Sequence, residues 1–264
     1  MRIGRRRSLR RFILGKKFKN MQNHQNSGIH PIEWSPQQVE TFWNWYAART
    51  EIQRPENAAV FCAQVFAFAR KHIRNFGITV DYACGLGILT QQLVAHGVQT
   101  WALDISNTSV EIVRTLLHQQ PAFLGASHIT GTPTALASNS ADTVFLVETI
   151  EHLNDDVLAT TMREIHRLLR VGGQLFITTP NEEHLAASAI VCPNCLCEFH
   201  KGQHVRAWSA QSLAAFVAGQ GFAPTVCAPT YFVDRGGMRG AWMQWRMKTG
   251  RRYKPHLALV AQKI

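Results

Sequence analysis

The sequence predicts an α/β protein with a Rossmann-like, seven-stranded and mostly parallel sheet that carries helices on both faces. The first observation is residues 78–104, where an apolar run, a glycine-containing turn, a stretch of helical periodicity and a second apolar run follow one another. That order is typical of a βαβ unit. The second observation is that helical and apolar segments continue to alternate after Asp104, as expected for a sheet built with crossover helices.

Charge divides the chain into a basic tail and a nearly neutral body. The chain has 264 residues and a net charge of +11, yet its first twenty residues hold nine Lys or Arg and no acid. The remainder carries 19 basic and 17 acidic residues. We expect residues 1–27 to form a basic, disordered tail, with a transit peptide or binding to nucleic acid or anionic lipid as alternatives. Residues 28–264 are expected to form one domain, because 46% hydrophobic content is ample for one core.

No segment has the length of a membrane span. The apolar stretch Phe12-Ile13-Leu14 is too short for a signal peptide, and no later run approaches the roughly 18 apolar residues that a spanning helix needs. We therefore expect a soluble, cytoplasmic protein.

Two helices are predicted before the βαβ unit. Ser35 followed by Pro36 is a typical helix start, because serine caps the first amides and proline fits the first turn. Aromatic residues then recur at helical spacing from Phe42 to Tyr46, which favours core packing over the alternative of a pocket wall. A second apolar helix is predicted over residues 58–73.

The turn of the βαβ unit carries the first functional signal. Gly85 and Gly87 allow a tight turn and a close approach of the backbone to a ligand, and Asp104 closes the second strand, where an acid suits a ribose diol. This indicates an adenosine-containing cofactor. Asp81 stands at the start of the turn, where it would repel a pyrophosphate but attract a sulfonium or amino group.

The segment Asp81-x-Ala83-Cys84-Gly85-x-Gly87 resembles the first motif of class I S-adenosylmethionine-dependent methyltransferases, Asp-x-Gly-Cys-Gly-x-Gly. The resemblance extends from Pro31 to the C-terminus and implies S-adenosylmethionine as cofactor. The residues that it implies for binding this cofactor are Asp81, Ala83, Gly85, Gly87, Asp104, Ile105, Thr132 and Val147. Ala83 replaces the first glycine of the motif, and its methyl group is tolerable if the local φ is negative.

A capping cluster at Ser106 predicts a helix through Leu117. Beyond it, Thr132 occupies the position where the family usually has an acid that binds the adenine amine. A hydroxyl accepts the same hydrogen bond more weakly.

The strand predicted over residues 142–147 runs into Glu148-Thr149-Ile150-Glu151-His152. If this segment is helical, two carboxylates and an imidazole converge at the carboxyl end of the sheet, where they suit a divalent cation. The pattern resembles the metal-binding set of small-RNA 3′-terminal 2′-O-methyltransferases and of ubiquinone-pathway O-methyltransferases. His204, four residues before Trp208, resembles the histidine that completes the site in the RNA enzymes. The implied ligands for Mg, Mn or Zn are Glu148, Glu151, His152 and His204.

Without a metal, His152 is the candidate general base beside Glu151, which would then favour a helix N-terminus. His152 and Glu151 are the two candidate catalytic residues.

The remaining elements follow the order expected for the family. A helix is predicted over residues 157–169 with a C-cap at Val171-Gly172-Gly173, then a strand over residues 174–178. An insertion over residues 182–208 follows this fifth strand. A helix over residues 209–219 and strands over residues 225–233 and 256–262 complete the sheet.

The insertion holds a Cys-x-x-Cys pair with further cysteine and histidine nearby. Cys192, Cys195, Cys197 and His200 have spacings suitable for tetrahedral zinc, with the choice of ligands among Cys197, His200 and His204 left open, and a reduced, metal-free loop is the alternative. The cysteine pattern does not predict a disulfide scaffold.

These features predict a methyltransferase that uses S-adenosylmethionine to methylate a hydroxyl of a small molecule. The alternative is an RNA-terminal 2′-O-methyltransferase or a non-catalytic protein that binds nucleic acid through its basic tail.

Overall fold

The structure is a computed structural model that describes residues 28–49, 55–232 and 255–264. The predicted basic tail, residues 1–27, lies outside the described residues. The helices are α1 (Pro36–Ala47), α2 (Pro55–His72), α3 (Ile88–Ala95), α4 (Asn107–Leu117), α5 (Asp155–Leu168) and α6 (Ala210–Ala218), with short 3₁₀ turns at Ile150–His152 and Leu185–Ser188. The strands are β1 (His30–Pro31), β2 (Thr79–Tyr82), β3 (Thr100–Asp104), β4 (Phe123–His128), β5 (Ala141–Val147), β6 (Leu169–Pro180), β7 (Ala189–Val191), β8 (Cys197–His200), β9 (Phe222–Thr230) and β10 (His256–Lys263).

The main sheet has seven strands in the order β4-β3-β2-β5-β6-β10-β9. Strands β2 to β6 pair in parallel, and β10 runs antiparallel to both of its neighbours. The predicted seven-stranded, mostly parallel sheet is therefore confirmed. The strand order reverses between β2 and β5, and ligands of open α/β sheets bind in the crevice at the carboxyl ends of such strands.

Both faces of the sheet are covered, as predicted. Along β5, Val144 and Leu146 project into one core and Phe145 into the other, because successive side chains of a strand alternate between faces. Helices α5 and α6 supply the first core, which holds residues such as Ile165. Helices α2 and α3 supply the second, which holds residues such as Leu93.

The start of α1 follows the prediction. The Ser35 hydroxyl accepts a hydrogen bond from the Gln38 amide (3.2 Å), and the Gln38 side chain accepts one from the Ser35 amide (2.8 Å), which together form a capping box. This cap fixes the N-terminal end of the helix that carries the aromatic residues Phe42 to Tyr46.

The predicted helix C-cap at Val171-Gly172-Gly173 is wrong. Helix α5 ends at Leu168, and Leu169 is already extended and pairs with Ala141 at the start of β6. Leu169 is fully buried, so its place in the core ends the helix earlier than the glycines would.

The insertion forms a second, small sheet. Strands β7 and β8 form an antiparallel hairpin, and β1 adds to β8 in parallel to give the order β1-β8-β7. The ring of Phe199 in β8 packs edge-on against Trp34, which precedes α1 (5.8 Å between centroids). The N-terminal strand and the insertion are thereby joined beside the main sheet.

Within the described residues, no helix combines the length and the apolar character that crossing a membrane requires. The predicted cytoplasmic location stays a prediction.

Candidate functional site

A cavity of about 410 Å³ opens where β2 and β5 end. Its floor is the turn after β2, and helix α1 and the segment after β5 form its walls. Of the predicted cofactor residues, Asp81, Ala83, Gly85, Asp104, Ile105 and Val147 line this cavity. Its volume is in the usual range for small-molecule sites.

The turn after β2 contains two left-handed glycines. Gly85 has a φ of 52°, and a side chain placed on it would meet nothing within 4 Å, because the cavity lies directly above it. Gly87 has a φ of 70°, and an added Cβ would come within 2.6 Å of Val113 Cγ2. Gly85 therefore leaves room for a ligand, whereas Gly87 allows α3 to pack on α4.

Ala83 departs from the expectation of a negative φ. Its φ is 62°, in the left-handed region that glycine favours. The turn is held there by hydrogen bonds from the Cys84 amide to Leu103 O and from the Gly87 amide to Cys84 O, both 2.9 Å. An alanine in this conformation costs roughly 1–2 kcal/mol. The backbone at Ala83 thus adopts the left-handed conformation that a glycine would adopt without strain.

The Asp104 side chain stabilises the turn through hydrogen bonds to two backbone amides. Its Oδ2 accepts a hydrogen bond from the Gly85 amide (2.8 Å), and its Oδ1 accepts one from the Ser106 amide (2.7 Å). Burial raises the pKa of this carboxyl group, and the two amides oppose that shift. Each oxygen has a second lone pair, so the carboxylate can also accept from a ligand hydroxyl in the cavity.

Asp81 is buried at the inner end of the cavity. The Thr90 hydroxyl donates to its Oδ2 at 2.6 Å. Burial raises the pKa of Asp81 to about 7 from 3.8. Because no cation neutralises it within the described residues, Asp81 is suited to receive a positively charged group from a ligand.

Thr132 does not lie with the other cofactor residues. It is exposed on the loop after β4 and does not line the cavity, whose wall on this side is formed by Ile105 and Ile129. Gly87 also lies outside the lining and acts through packing.

Aromatic residues of α1 form one wall of the cavity. Trp43 and Tyr46 line it, so for these two residues the alternative of a pocket wall holds rather than the favoured core packing. The Trp43 indole N–H donates to Gln203 Oε1 (3.1 Å), and Gln203 Nε2 donates to the His152 carbonyl (3.0 Å). The Trp43 ring also packs edge-on against the His152 ring, with 4.8 Å between centroids.

The segment after β5 gathers the predicted metal ligands. It is only partly helical, since Glu148 has a φ of 46° and one 3₁₀ turn spans Ile150–His152. The ligand atoms of Glu151, His152 and His204 lie within 4.8 Å of one another. Glu148 lines the cavity next to them, and its Oε1 is buried without a hydrogen-bond partner.

Burial and mutual repulsion shift the pKa values of this cluster so that its acids and His152 favour their neutral forms. Burial raises the pKa of Glu148 to about 7 and raises that of Glu151 well above its usual range, with repulsion from Glu148 added. Burial and the neighbouring His204 lower the pKa of His152 to about 3. His152 Nδ1 is buried without a partner. A divalent cation would relieve both the acid–acid and the imidazole–imidazole conflict, so the donor set fits such an ion.

Glu183 and His200 belong to the same cluster and were not predicted there. Glu183 accepts a short hydrogen bond from His204 Nδ1, and its Oε1 lies 3.4 Å from His200 Nε2. The bond to Glu183 leaves His204 Nε2 as the ring nitrogen with a lone pair, an arrangement common for metal-binding histidines. Glu183 lies just after β6, so the signal available in the sequence was an acid at the carboxyl end of a central strand.

The cysteines of the insertion form a separate group. The sulfur atoms of Cys192, Cys195 and Cys197 lie within 4.8 Å of one another. His200, which the spacing assigned to the same zinc site, is not part of this group among the described residues. It instead stacks on His204, with 4.3 Å between ring centroids.

Comparison with known proteins supports the predicted family. The family profile described as "Methyltransferase domain" matches residues 54–226. The chain belongs to this family. The prediction of a class I S-adenosylmethionine-dependent methyltransferase is thereby confirmed, and S-adenosylmethionine is the cofactor expected of the family.

Curated relatives of this methyltransferase-domain protein are also named as methyltransferases. The ubiquinone biosynthesis O-methyltransferase of Azotobacter vinelandii is 31% identical over 115 residues, which cover 42% of this chain and 48% of the relative. The chain thus spans about half the length of the curated relatives it matches.

Solved structures agree at the level of the fold. The 1,6-didemethyltoxoflavin-N1-methyltransferase of Burkholderia thailandensis, with bound 1,6-didemethyltoxoflavin and S-adenosylhomocysteine, matches with a TM-score of 0.60 and 16% identity over 89% of this chain and 92% of that one. The [4+2]-cyclase SpnF matches with a TM-score of 0.61 and 14% identity over 89% and 98%. At these identities the likeness shows the fold alone, and the cyclase shows that the fold hosts more than one reaction.

The cavity of this methyltransferase-domain protein fits S-adenosylmethionine on its own geometry. The open space above Gly85 leaves room for a ligand against the backbone, and Asp104 offers a buried acceptor for a ribose diol. Asp81 is a buried carboxyl group that a positively charged group of the cofactor would keep ionised.

Proposed function

We propose that this protein methylates a hydroxyl group of a small aromatic molecule, with S-adenosylmethionine as methyl donor and a divalent cation at the acceptor side. The observation that carries the proposal is that one cavity is lined by the glycine turn and Asp104 together with Glu148, His152 and an aromatic wall. A donor and an acceptor held in such a cavity are aligned for displacement at the methyl carbon, which is most of the enzyme's task when the leaving group is already activated.

The aromatic wall of the cavity indicates the class of acceptor. Trp34, Trp43 and Tyr46 line the cavity, and aromatic side chains favour offset or edge-on packing with a flat ring. His152 is held at the end of this wall by Gln203 and by the ring of Trp43. The curated relatives are ubiquinone biosynthesis O-methyltransferases, which is consistent with oxygen as the methylated atom.

Glu148, Glu151, His152 and His204 would hold the cation. When bound, a divalent cation lowers the pKa of a hydroxyl that lies against it, so that oxygen becomes a better nucleophile near neutral pH. Glu183 is a positioning residue, because it fixes the tautomer of His204 through its bond to Nδ1. The Thr179 hydroxyl donates to Glu151 Oε2 (2.9 Å) and holds that carboxylate in place.

The experiment is methyl transfer to a catechol with and without a chelator. EDTA should abolish turnover, and added Mg²⁺, Mn²⁺ or Zn²⁺ should restore it. Glu148→Ala and His204→Ala should each lower kcat by about 10²-fold or more, and the double variant should cost little more, because residues that act as one unit are non-additive. His118→Ala is the control, since that histidine is exposed at the end of α4.

Full activity in EDTA together with tolerance of His204→Ala would reject the cation. In that case His152 would remain as the base, and only His152→Ala would be severe, by about 10²–10⁴-fold. A short RNA that accepts the methyl group in place of the catechol would reject the small-molecule acceptor.

A further inference from the structure

We propose that Cys192, Cys195 and Cys197 bind a structural zinc ion and that His30 supplies the fourth ligand. The three sulfur atoms lie within 4.8 Å of one another, and Cys195 Sγ is 3.1 Å from Cys197 Sγ. All three are free thiols. Three thiolates and one imidazole are a common ligand set of tetrahedral structural zinc. None of these residues lines the cavity, so the inference is independent of the proposed function.

The hairpin brings the thiols together. Cys192 follows β7 directly and Cys197 begins β8. The Cys192 amide donates to Cys197 O and the Leu196 amide donates to Cys192 O, each at 2.9 Å. A zinc ion takes thiolates as ligands, and its charge favours their ionisation.

His200 cannot complete this set. Cys197 and His200 are three residues apart in one strand, and side chains alternate between the faces of a strand. His200 therefore projects to the face opposite Cys197. Its Nδ1 accepts hydrogen bonds from the amides of Gly202 and His204, both at 3.2 Å, and its Nε2 faces Glu183.

His30 lies on the correct face. It pairs directly with Cys197 across the parallel strands β1 and β8, and residues opposite each other in a ladder project to the same face. In its present rotamer His30 Nδ1 donates to the Gly28 carbonyl at 3.2 Å, and a ring turned towards the thiols gives up this bond and can offer either nitrogen to the metal. The ring lies outside the 4.8 Å group, but His30 is exposed and a change of rotamer is open to it.

A zinc ion at this position would stabilise the small sheet. Strands β1, β8 and β7 have two, four and three residues, which is too little pairing to be stable alone. A zinc ion shared by β1 and the hairpin would fasten the N-terminal strand to the insertion. The same insertion carries His200 and His204 to the cluster at the cavity.

Zinc content of the purified full-length chain tests the cysteine site. We expect one zinc ion per chain that is lost in Cys192→Ser and in Cys195→Ser and retained in His204→Ala, with folding of each variant checked by circular dichroism. Comparing the two cysteine variants with His204→Ala separates this ion from any metal held at the cavity. Zinc that is absent from the wild type, a zinc content that is as high in both cysteine variants as in the wild type, or a Cys195–Cys197 disulfide in protein purified under reducing conditions would overturn the proposal.

Cobalt substitution tests the fourth ligand. Co²⁺ in a tetrahedral thiolate site gives visible ligand-field bands and near-ultraviolet charge-transfer bands. His30→Ala should shift the visible bands and weaken Zn²⁺ binding by about 100-fold or more, since even outer-sphere partners of a metal contribute 10–100-fold. His118→Ala is matched, because it is also exposed and its Nδ1 also faces a backbone carbonyl, that of Thr115. An unchanged spectrum and affinity in His30→Ala would overturn the assignment of His30.

Discussion

Replacing Asp104 tests the cofactor site, because the structure indicates how much cofactor affinity the substitution should remove. The carboxylate is only 6% exposed and is held in place by the amides of Gly85 and Ser106 at 2.8 and 2.7 Å. A ribose diol would donate charge-assisted hydrogen bonds to the remaining lone pairs, and such bonds contribute about 1.5–3 kcal/mol. Asp104→Ala should therefore weaken S-adenosylmethionine binding by roughly 10- to 150-fold.

Isothermal titration calorimetry measures this affinity directly. Asp104→Asn keeps one oxygen and should fall between the wild type and Asp104→Ala. Asp142→Ala is the matched control: its carboxylate also braces a backbone amide, that of Ile78 (2.6 Å), and it pairs with Arg170 (2.6 Å), but it lies outside the cavity. The control should lose stability and keep its affinity. An Asp104→Ala protein that is folded and binds the cofactor as the wild type does would refute the assignment of the ribose site.

Four further changes test other parts of the account. Ala83→Gly should raise the free energy of unfolding by about 0.5–1 kcal/mol in urea titrations, because release of left-handed strain exceeds the entropy cost of glycine; a loss of stability would contradict this. Asp81→Asn should weaken binding of S-adenosylmethionine more than that of S-adenosylhomocysteine, and equal losses would leave Asp81 a structural role alone. Glu183→Gln should lower kcat and cation affinity about 10–100-fold with little change in cofactor affinity, and a normal cation dependence would contradict its positioning role. Trp43→Leu should raise the KM of a catechol acceptor several-fold and leave cofactor affinity intact; an unchanged KM would place the acceptor elsewhere.

The pKa of Asp81 also predicts a pH dependence of stability in the absence of cofactor. Because its folded-state pKa is raised to about 7 from 3.8, the folded protein keeps a proton that the unfolded chain releases between these values. The contribution of Asp81 to stability is complete below about pH 4 and is lost as the pH rises through 7. The free energy of unfolding of the wild type, relative to Asp81→Asn, should fall by up to about 4 kcal/mol from pH 4 to 7.5. A constant difference across this range would contradict it.

The sequence predicted those parts of the fold in which local pattern and tertiary position agree. Strand β2, its turn and α3 follow one another inside the predicted βαβ unit of residues 78–104, because the apolar runs and Gly85 mark the same boundaries that the core requires. The boundary after α5 was missed, because the burial of Leu169 against the sheet overrides the glycine signal three residues later.

The site was predictable where its residues follow one another in the chain or match a family pattern, as Glu151, His152 and His204 do. Glu151 and His152 were found from their spacing, but the cluster is completed by residues that only the folding of the insertion brings near, namely Glu183 and His200. The φ of Ala83 could not be read from its residue type, because it is imposed by the bonds that close the turn. The cavity wall at Trp43 depends on the orientation of α1 over the sheet, which no local pattern encodes.

The most direct test of the proposed function is the product formed from methyl-labelled S-adenosylmethionine and a catechol. The acceptor should exchange the hydrogen of one hydroxyl for the labelled methyl group, releasing a proton, with one S-adenosylhomocysteine formed per product. Mass spectrometry should place the label on oxygen, and the yield should fall to background in the folded Glu148→Ala variant. Binding of S-adenosylmethionine without transfer to a panel of phenols and catechols, or transfer that is unaffected in Glu148→Ala, would contradict the account.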